Sequence, residues 1–196
     1  MDAIALLKAD HKAVEEKFTM FGTLGSRAFK AKAKIVTDVI TALTKHAAIE
    51  ESVFYPEARQ RLQDSGYLVL EALEEHHIVK WTLSELDHMS PTDERFDAKF
   101  TVLMEIVRHH VREEEKVLFP AVRKAFSKQE LDQMGEQLHA AKASAPTHPH
   151  PRSPDEPPLN AIAAVVAKPF DAMRDAGEAI VKQVRRASMQ SLTKMG

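Results

Sequence analysis

Residues 46–56, His-Ala-Ala-Ile-Glu-Glu-Ser-Val-Phe-Tyr-Pro, and residues 110–120, His-Val-Arg-Glu-Glu-Glu-Lys-Val-Leu-Phe-Pro, share His, Glu, Glu, Val and Pro in register. A helix turns once in about 3.6 residues, so His46 and Glu50 project side by side from one face, as do His110 and Glu114. Imidazole and carboxylate together are a donor set for iron, manganese or zinc. The chain contains no cysteine. Disulfides, thiolate clusters and cysteine nucleophiles are therefore excluded, and any metal must sit on His and carboxylate.

Both pairs need long helices, and the hydrophobic spacing supplies them. Positions 7, 11, 14, 18 and 21 alternate steps of four and three, predicting an amphipathic helix over 2–22 that carries His11 inward. A second pattern runs from about Ala28 to Leu62, with Ile35, Val39, Leu43 or Ala42, His46, Glu50 and Val53 on one stripe, and Pro56 is expected to kink or shorten it. Asp64-Ser65-Gly66 reads as a turn. A third helix, about Tyr67 to His88, then places Val69, Ala72, His76, Val79, Leu83 and Leu86 inward. Thr92 or Asp93 is expected to cap a fourth, from about Glu94 to Phe126, with Leu103, Ile106, His110, Glu114 and Val117 on its inner stripe.

Four long helices with short connections predict an all-α, up-down-up-down four-helix bundle, to which each helix contributes an inward histidine. Glu50 and Glu114 face the core, where an uncompensated charge costs several kcal/mol. Metal ions held also by His11, His46, His76 and His110 supply the compensation. Phe18, Phe21, Phe54, Phe100, Phe119 and Trp81 are expected in the core, whereas His77, His88 and His109 are expected at the surface or helix flank. Glu51 and Glu115 are expected to orient ligands.

A short fifth helix is predicted from Lys128 to about Ala143. Six of the ten prolines then fall within residues 146–158, an extended, semi-rigid linker. The expected organisation is a metal-binding bundle over 1–143, a Pro-rich linker over 144–158 and a C-terminal amphipathic helical tail over 159–196. The tail carries a net +3, with Val166, Phe170, Met173, Ile180 and Val184 at helical spacing; docking, self-association or a partner is the expected use. Overall net charge is −2 with 29% charged residues, which gives no basic field for nucleic acid. No apolar run reaches the ~20 residues of a membrane span, and the N-terminus is unlike a secretory signal, so a cytoplasmic protein is expected.

The string Ala9-Asp10-His11-Lys12-Ala13-Val14, the motifs His46-x-x-x-Glu50-Glu51 and Glu75-His76-His77-x-Val79, and His110-x-x-x-Glu114-Glu115-x-x-x-Phe119-Pro120 resemble the hemerythrin HHE cation-binding family over roughly residues 5–126. The resemblance implies two non-haem iron ions, bridged by Glu50 and Glu114, with His11, His46, His76 and His110 as terminal ligands. It also implies small ligands such as O2, NO or H2O2, in sensing or stress defence. Oxygen-carrying members have a second histidine four residues along the third helix, where this chain has Lys80. His77, His139, Tyr55 or water could fill that place, or it stays open, which favours oxidant chemistry over reversible carriage. Catalase-like peroxide decomposition and simple sequestration of iron or zinc are the competing readings.

Overall fold

A computed structural model describes residues 1–62 and 66–155, and beyond these 157, 160, 163, 166–177, 179, 180 and 183. Every regular element among the described residues is helical. Helix α1 (Ala3–Gly22) starts at Asp2, whose carboxylate accepts from the Ala5 amide at 2.7 Å. Helix α2 (Phe29–Ile49) runs through a π-helical turn, Glu50–Phe54, into α3 (Tyr55–Arg61). Helix α4 (Gly66–Asp87) follows, then α5 (Phe96–Glu113), a second π-helical turn, Glu114–Leu118, and α6 (Phe119–Ala125). Helix α7 (Lys128–Ser144) opens with a capping box in which Ser127 and Glu130 satisfy each other's backbone amides. The bundle consists of α1, the α2–α3 rod, α4 and the α5–α6 rod, and α7 packs beside α1 and α2.

Helix limits fall within about two residues of the expected ones. Asp64 and Ser65 of the expected turn lie outside the described residues, and Gly66 already belongs to α4. Four expectations need correction, two of them through the same backbone feature. Pro56 does not end its helix. Proline lacks an N–H, and its ring clashes with the carbonyl four residues back. Widening the turn resolves that conflict: Tyr55 N–H reaches Glu50 O, and Phe119 N–H reaches Glu114 O, each five residues back, just before Pro56 and Pro120.

Each widened turn shifts the inward register by one residue. Phe54 and Leu118 are buried, whereas Val53 is only half-buried and Val117 is 41% exposed, although the α-helical spacing had placed both on the inner stripe. Nor do Thr92 or Asp93 cap α5: the N-cap is Arg95, with no side-chain bond, and Asp93 instead accepts from the Ser90 amide. Trp81 is 41% exposed rather than core, its indole N–H donating to His77 on the outer face of α4.

The core divides into two apolar layers. One gathers Ile4, Leu7, Ile49, Phe54, Leu118 and Leu138 at one end, and the other gathers Val14, Phe18, Val39, Leu83, Phe100 and Leu103 at the far end. Each fully buried side chain of this size contributes roughly 1.5–3 kcal/mol. Between the layers lies a polar slab containing His11, His46, Glu50, Glu51, His76, Lys80, His110 and Glu114, all buried. The tail touches the bundle through small and polar residues: Ala167 and Asp171 are buried, and the Asn160 amide donates to Glu51 O at 3.1 Å. Its apolar residues Val166, Phe170, Met173 and Ile180 are exposed. Val184 and the charges at 178, 182, 185, 186 and 194 lie outside the described residues.

Candidate metal centre

The slab brings ligand atoms of His11, His46, Glu50 and Glu114 within 4.8 Å of one another, and those of Glu50, His76 and His110 likewise. Glu50 belongs to both groups. His11 Nε2 faces His46 Nε2 at 3.1 Å, and His76 Nε2 faces His110 Nε2 at 3.1 Å. Two imidazole lone pairs at that distance repel unless a proton or a cation stands between them.

On its outer side each of these four imidazoles meets an acid from a neighbouring helix. Asp10 of α1 approaches His46 Nδ1 at 3.5 Å, and Glu51 of the first π turn lies 3.0 Å from His76 Nδ1. Glu75 of α4 lies 2.7 Å from His110 Nδ1, and Glu115 of the second π turn lies 3.0 Å from His11 Nδ1. The four contacts close a ring around the bundle. In His11, His76 and His110 a hydrogen bond sets Nδ1 as the outward, proton-bearing nitrogen, at His46 the 3.5 Å ion-pair contact does so without a hydrogen bond, and every Nε2 turns inward. Three of the acids are anchored in turn: Lys80 Nζ donates to Glu51 at 3.0 Å, Lys142 of α7 donates to both oxygens of Asp10 at 2.5 Å, and Lys8 pairs with Glu115 at 3.2 Å.

The π turns position a further group. In a regular α-helix Tyr55 would point about 140° away from Glu50; the five-residue turn stacks it over Glu50 instead. Its hydroxyl donates to Glu114 Oε1 at 2.9 Å and lies 3.3 and 3.4 Å from Nε2 of His76 and His110. Phe119 holds the matching place in the second repeat and stacks on His11 at 5.8 Å. The centre is thus two-fold in its ligands and one-sided in its hydroxyl.

Both oxygens of Glu50 and Oε2 of Glu114 are buried without a hydrogen bond, although His46 Nε2 approaches Glu50 Oε2 at 3.1 Å and His11 Nε2 approaches Glu114 Oε2 at 3.2 Å. A carboxylate left so inside a protein is costly unless a cation stands before it. Burial alone would push His46 down, but the facing Glu50 carboxylate and the Asp10 contact raise it to about 10. His76 is raised likewise to about 9, burial being outweighed by the nearby Glu50 carboxylate and by the hydrogen-bonded Glu51. Burial would raise Glu50, yet the His46 charge holds it well below the ordinary carboxylate range. The Tyr55 hydroxyl is pushed well up by burial and by the Glu114 and Glu50 charges, which keeps it protonated. The donor set, with its buried carboxylate oxygens, fits a bound metal cation.

The chain matches the Hemerythrin HHE cation binding domain over residues 2–122. It belongs to that family. An uncharacterized hemerythrin-like protein of Schizosaccharomyces pombe is 33% identical over 134 residues, which are 68% of this chain and 66% of that protein. A DNA nickase of Nostoc sp. is 34% identical over 101 residues, covering 52% of this chain and 28% of that protein. The chain therefore spans just under two thirds of the first of these relatives and a smaller part of the second. The crystal structure of a Hemerythrin HHE cation binding domain-containing protein from Mycobacterium kansasii superposes with a TM-score of 0.63 at 20% identity, over 73% of this chain and 86% of that one; this likeness concerns the fold.

As an HHE domain, the chain gathers all six side chains singled out in its sequence, His11, His46, Glu50, His76, His110 and Glu114, into one buried cluster. Of the substitutes considered for the missing histidine, His77 and His139 are exposed, and Tyr55 reaches the centre. Lys80 is not spare, because it holds Glu51. The sequence reading missed Asp10 and Glu75 as orienting groups. The available signal was the acid immediately preceding two of the four inward histidines, in Asp10-His11 and Glu75-His76. His148, expected in a solvated linker, is buried between Asp87 and Asp175, 3.1 Å from each. No described helix is long and apolar enough to cross a membrane.

Proposed function

We propose that this HHE domain holds two non-haem iron ions on His11, His46, Glu50, His76, His110 and Glu114, and binds O2 or a related small oxidant, NO or peroxide, in sensing or stress defence in the cytoplasm. The supporting observation is the convergence of the buried Glu50 and Glu114 carboxylates on four inward Nε2 atoms, with three of their oxygens making no hydrogen bond. Iron bound there supplies a redox-active centre for such ligands. The rest falls to the chain itself. The acid ring orients the imidazoles, and Glu50, shared by both groups, is suited to bridge. The apolar layers above and below limit water. The Tyr55 hydroxyl holds a proton at Glu114 Oε1, on the His76 and His110 side. Residues 1–143 form the metal-binding unit, and the Asn160 contact to the Glu51 carbonyl supports docking of the tail beyond the linker.

Catalase-like peroxide turnover is the second reading, and Tyr55 favours it, because a protonated hydroxyl beside the cluster is a proton donor to a leaving oxygen. Metal analysis of protein from iron-supplied cells tests the centre, with His110→Ala expected to lower the iron content; unchanged iron would sink the ligand set. A visible band that appears in air and vanishes under argon supports reversible binding, gas evolved from peroxide supports turnover, and a colourless zinc protein refutes both.

A further inference from the structure

Between α1, α2 and α5 a cleft of about 670 Å³ descends to the cluster, with His11, His46, His76 and His110 in its lining. A diatomic ligand or peroxide needs little more than the ~30 Å³ share of one water molecule, whereas pockets of roughly 300–1,000 Å³ take organic ligands. The cleft is therefore about twenty-fold larger than the small oxidants require. Its walls are apolar, from Val14, Phe18, Leu43 and Val107.

The mouth is cationic. The acids there are engaged: Glu15 takes two hydrogen bonds from Arg108 at 2.7 and 2.9 Å, Glu115 is held by His11 and Lys8, and Asp10 by Lys142. Among the described residues, Lys12, Arg112 and Lys116 line the same cleft, are exposed and have no carboxylate partner. A deep apolar wall below three unpaired cations is complementary to an amphiphile with an anionic head.

We infer that this cleft binds an aliphatic carboxylate, its head group on Lys12, Arg112 and Lys116 and its chain running between Val14, Phe18 and Val107 toward the four histidines. Such a molecule is an organic substrate class for the centre, or for its oxidant chemistry. In that role the inference rests on the proposed function; the binding itself needs only the cleft.

Calorimetric titration of the zinc-loaded protein, which is redox-inert, with hexanoate, octanoate and decanoate tests it. Each methylene buried in the cleft strengthens binding roughly four-fold, so decanoate should bind far more tightly than hexanoate. The combined variant Lys12→Glu, Arg112→Glu, Lys116→Glu, all at exposed positions, should weaken decanoate at least ten-fold and leave decan-1-ol unchanged. Val107→Trp, which fills the cleft, should abolish binding of both with the zinc content retained; if it does not fold, Val14→Trp on the facing helix serves. Absence of decanoate binding to folded zinc-loaded protein overturns the inference. So does decanoate affinity unmoved by charge reversal, or unmoved by a folded tryptophan variant. If the protein takes up no zinc or iron, the proposed metal centre fails, and titration of the metal-free protein still decides the cleft.

Discussion

Glu51 and Glu115 occupy matching places in the two repeats and do matching work, each holding the Nδ1 of a histidine on the next helix at 3.0 Å. Their surroundings differ. Glu51 is buried with Lys80, itself only 8% exposed, whereas the side chains of Glu115 and Lys8 are 30% and 47% exposed. Removing one partner of a buried pair costs about 3–5 kcal/mol, since the other charge is left stranded; loss of a surface pair costs about 0–1 kcal/mol. Glu51→Ala should therefore lower the urea midpoint of the metal-free protein by roughly 2 M, taking about 4 kcal/mol and a slope of about 2 kcal/mol per molar. Glu115→Ala should barely move it. Metal affinity should respond alike in both variants, falling about 10–100-fold, because each loses one orienting acid. Adding Lys80→Met to Glu51→Ala removes the stranded ammonium, so the fold should recover while the affinity loss stays. Urea titration of chelator-treated protein and zinc competition against a chromophoric chelator read the two effects separately. Equal destabilisation by Glu51→Ala and Glu115→Ala, or no recovery in the double variant, would refute burial of Lys80 as the cause.

Tyr55→Phe makes the two repeats alike at this position and takes from Glu114 a hydrogen bond to a charged acceptor, a loss of about 1.5–3 kcal/mol in metal-free protein; metal should still bind, and a variant whose chemical unfolding matches wild type would contradict the contact. A Cβ at Gly135 would sit 2.2 Å from the Met1 carbonyl oxygen and 2.9 Å from the Asp2 carbonyl carbon, so Gly135→Ala should destabilise by about 1–3 kcal/mol, as read by thermal melting, with metal content preserved. In metal-free protein His46 and His76 are raised above their unfolded values, to about 10 and about 9. Their contribution is complete below about pH 6.5 and is lost as pH climbs through 9 to 10. Chelated protein should therefore become less resistant to urea between pH 7 and 10, and histidine proton shifts that titrate near 6.5 would exclude this.

Much of the centre could be read from the sequence because ligand spacing and core spacing coincide on a helix. His11 and His76 sit at ordinary apolar positions of their stripes, between Leu7 and Val14 and between Ala72 and Val79, so the periodicity that builds the bundle also aims the ligands. The outer ring was less legible. Asp10 and Glu75 stand about 100° from the inward stripe, where acids ordinarily face solvent, and their roles emerge only when the adjacent helix supplies an imidazole.

The π turns show why the remainder was hidden. An α-helical wheel carried Val53 and Val117 inward, since propagating 100° per residue assumes an unbroken four-residue hydrogen-bond step. Pro56 and Pro120 mark where that step fails, but a missing N–H is compatible with a kink, a helix end or a widened turn. The surrounding packing decides among these. Phe54 is buried against Phe119 and beside Tyr55, and Leu118 joins the same apolar layer, so the widened turn buries the residues before each proline. It also brings the Tyr55 hydroxyl to Glu114. A repeat that reads as symmetrical in its His and Glu thus acquires a directional centre from a pair in which the copies differ, Tyr55 and Phe119, with a hydroxyl donor on one side and a phenyl ring on the other.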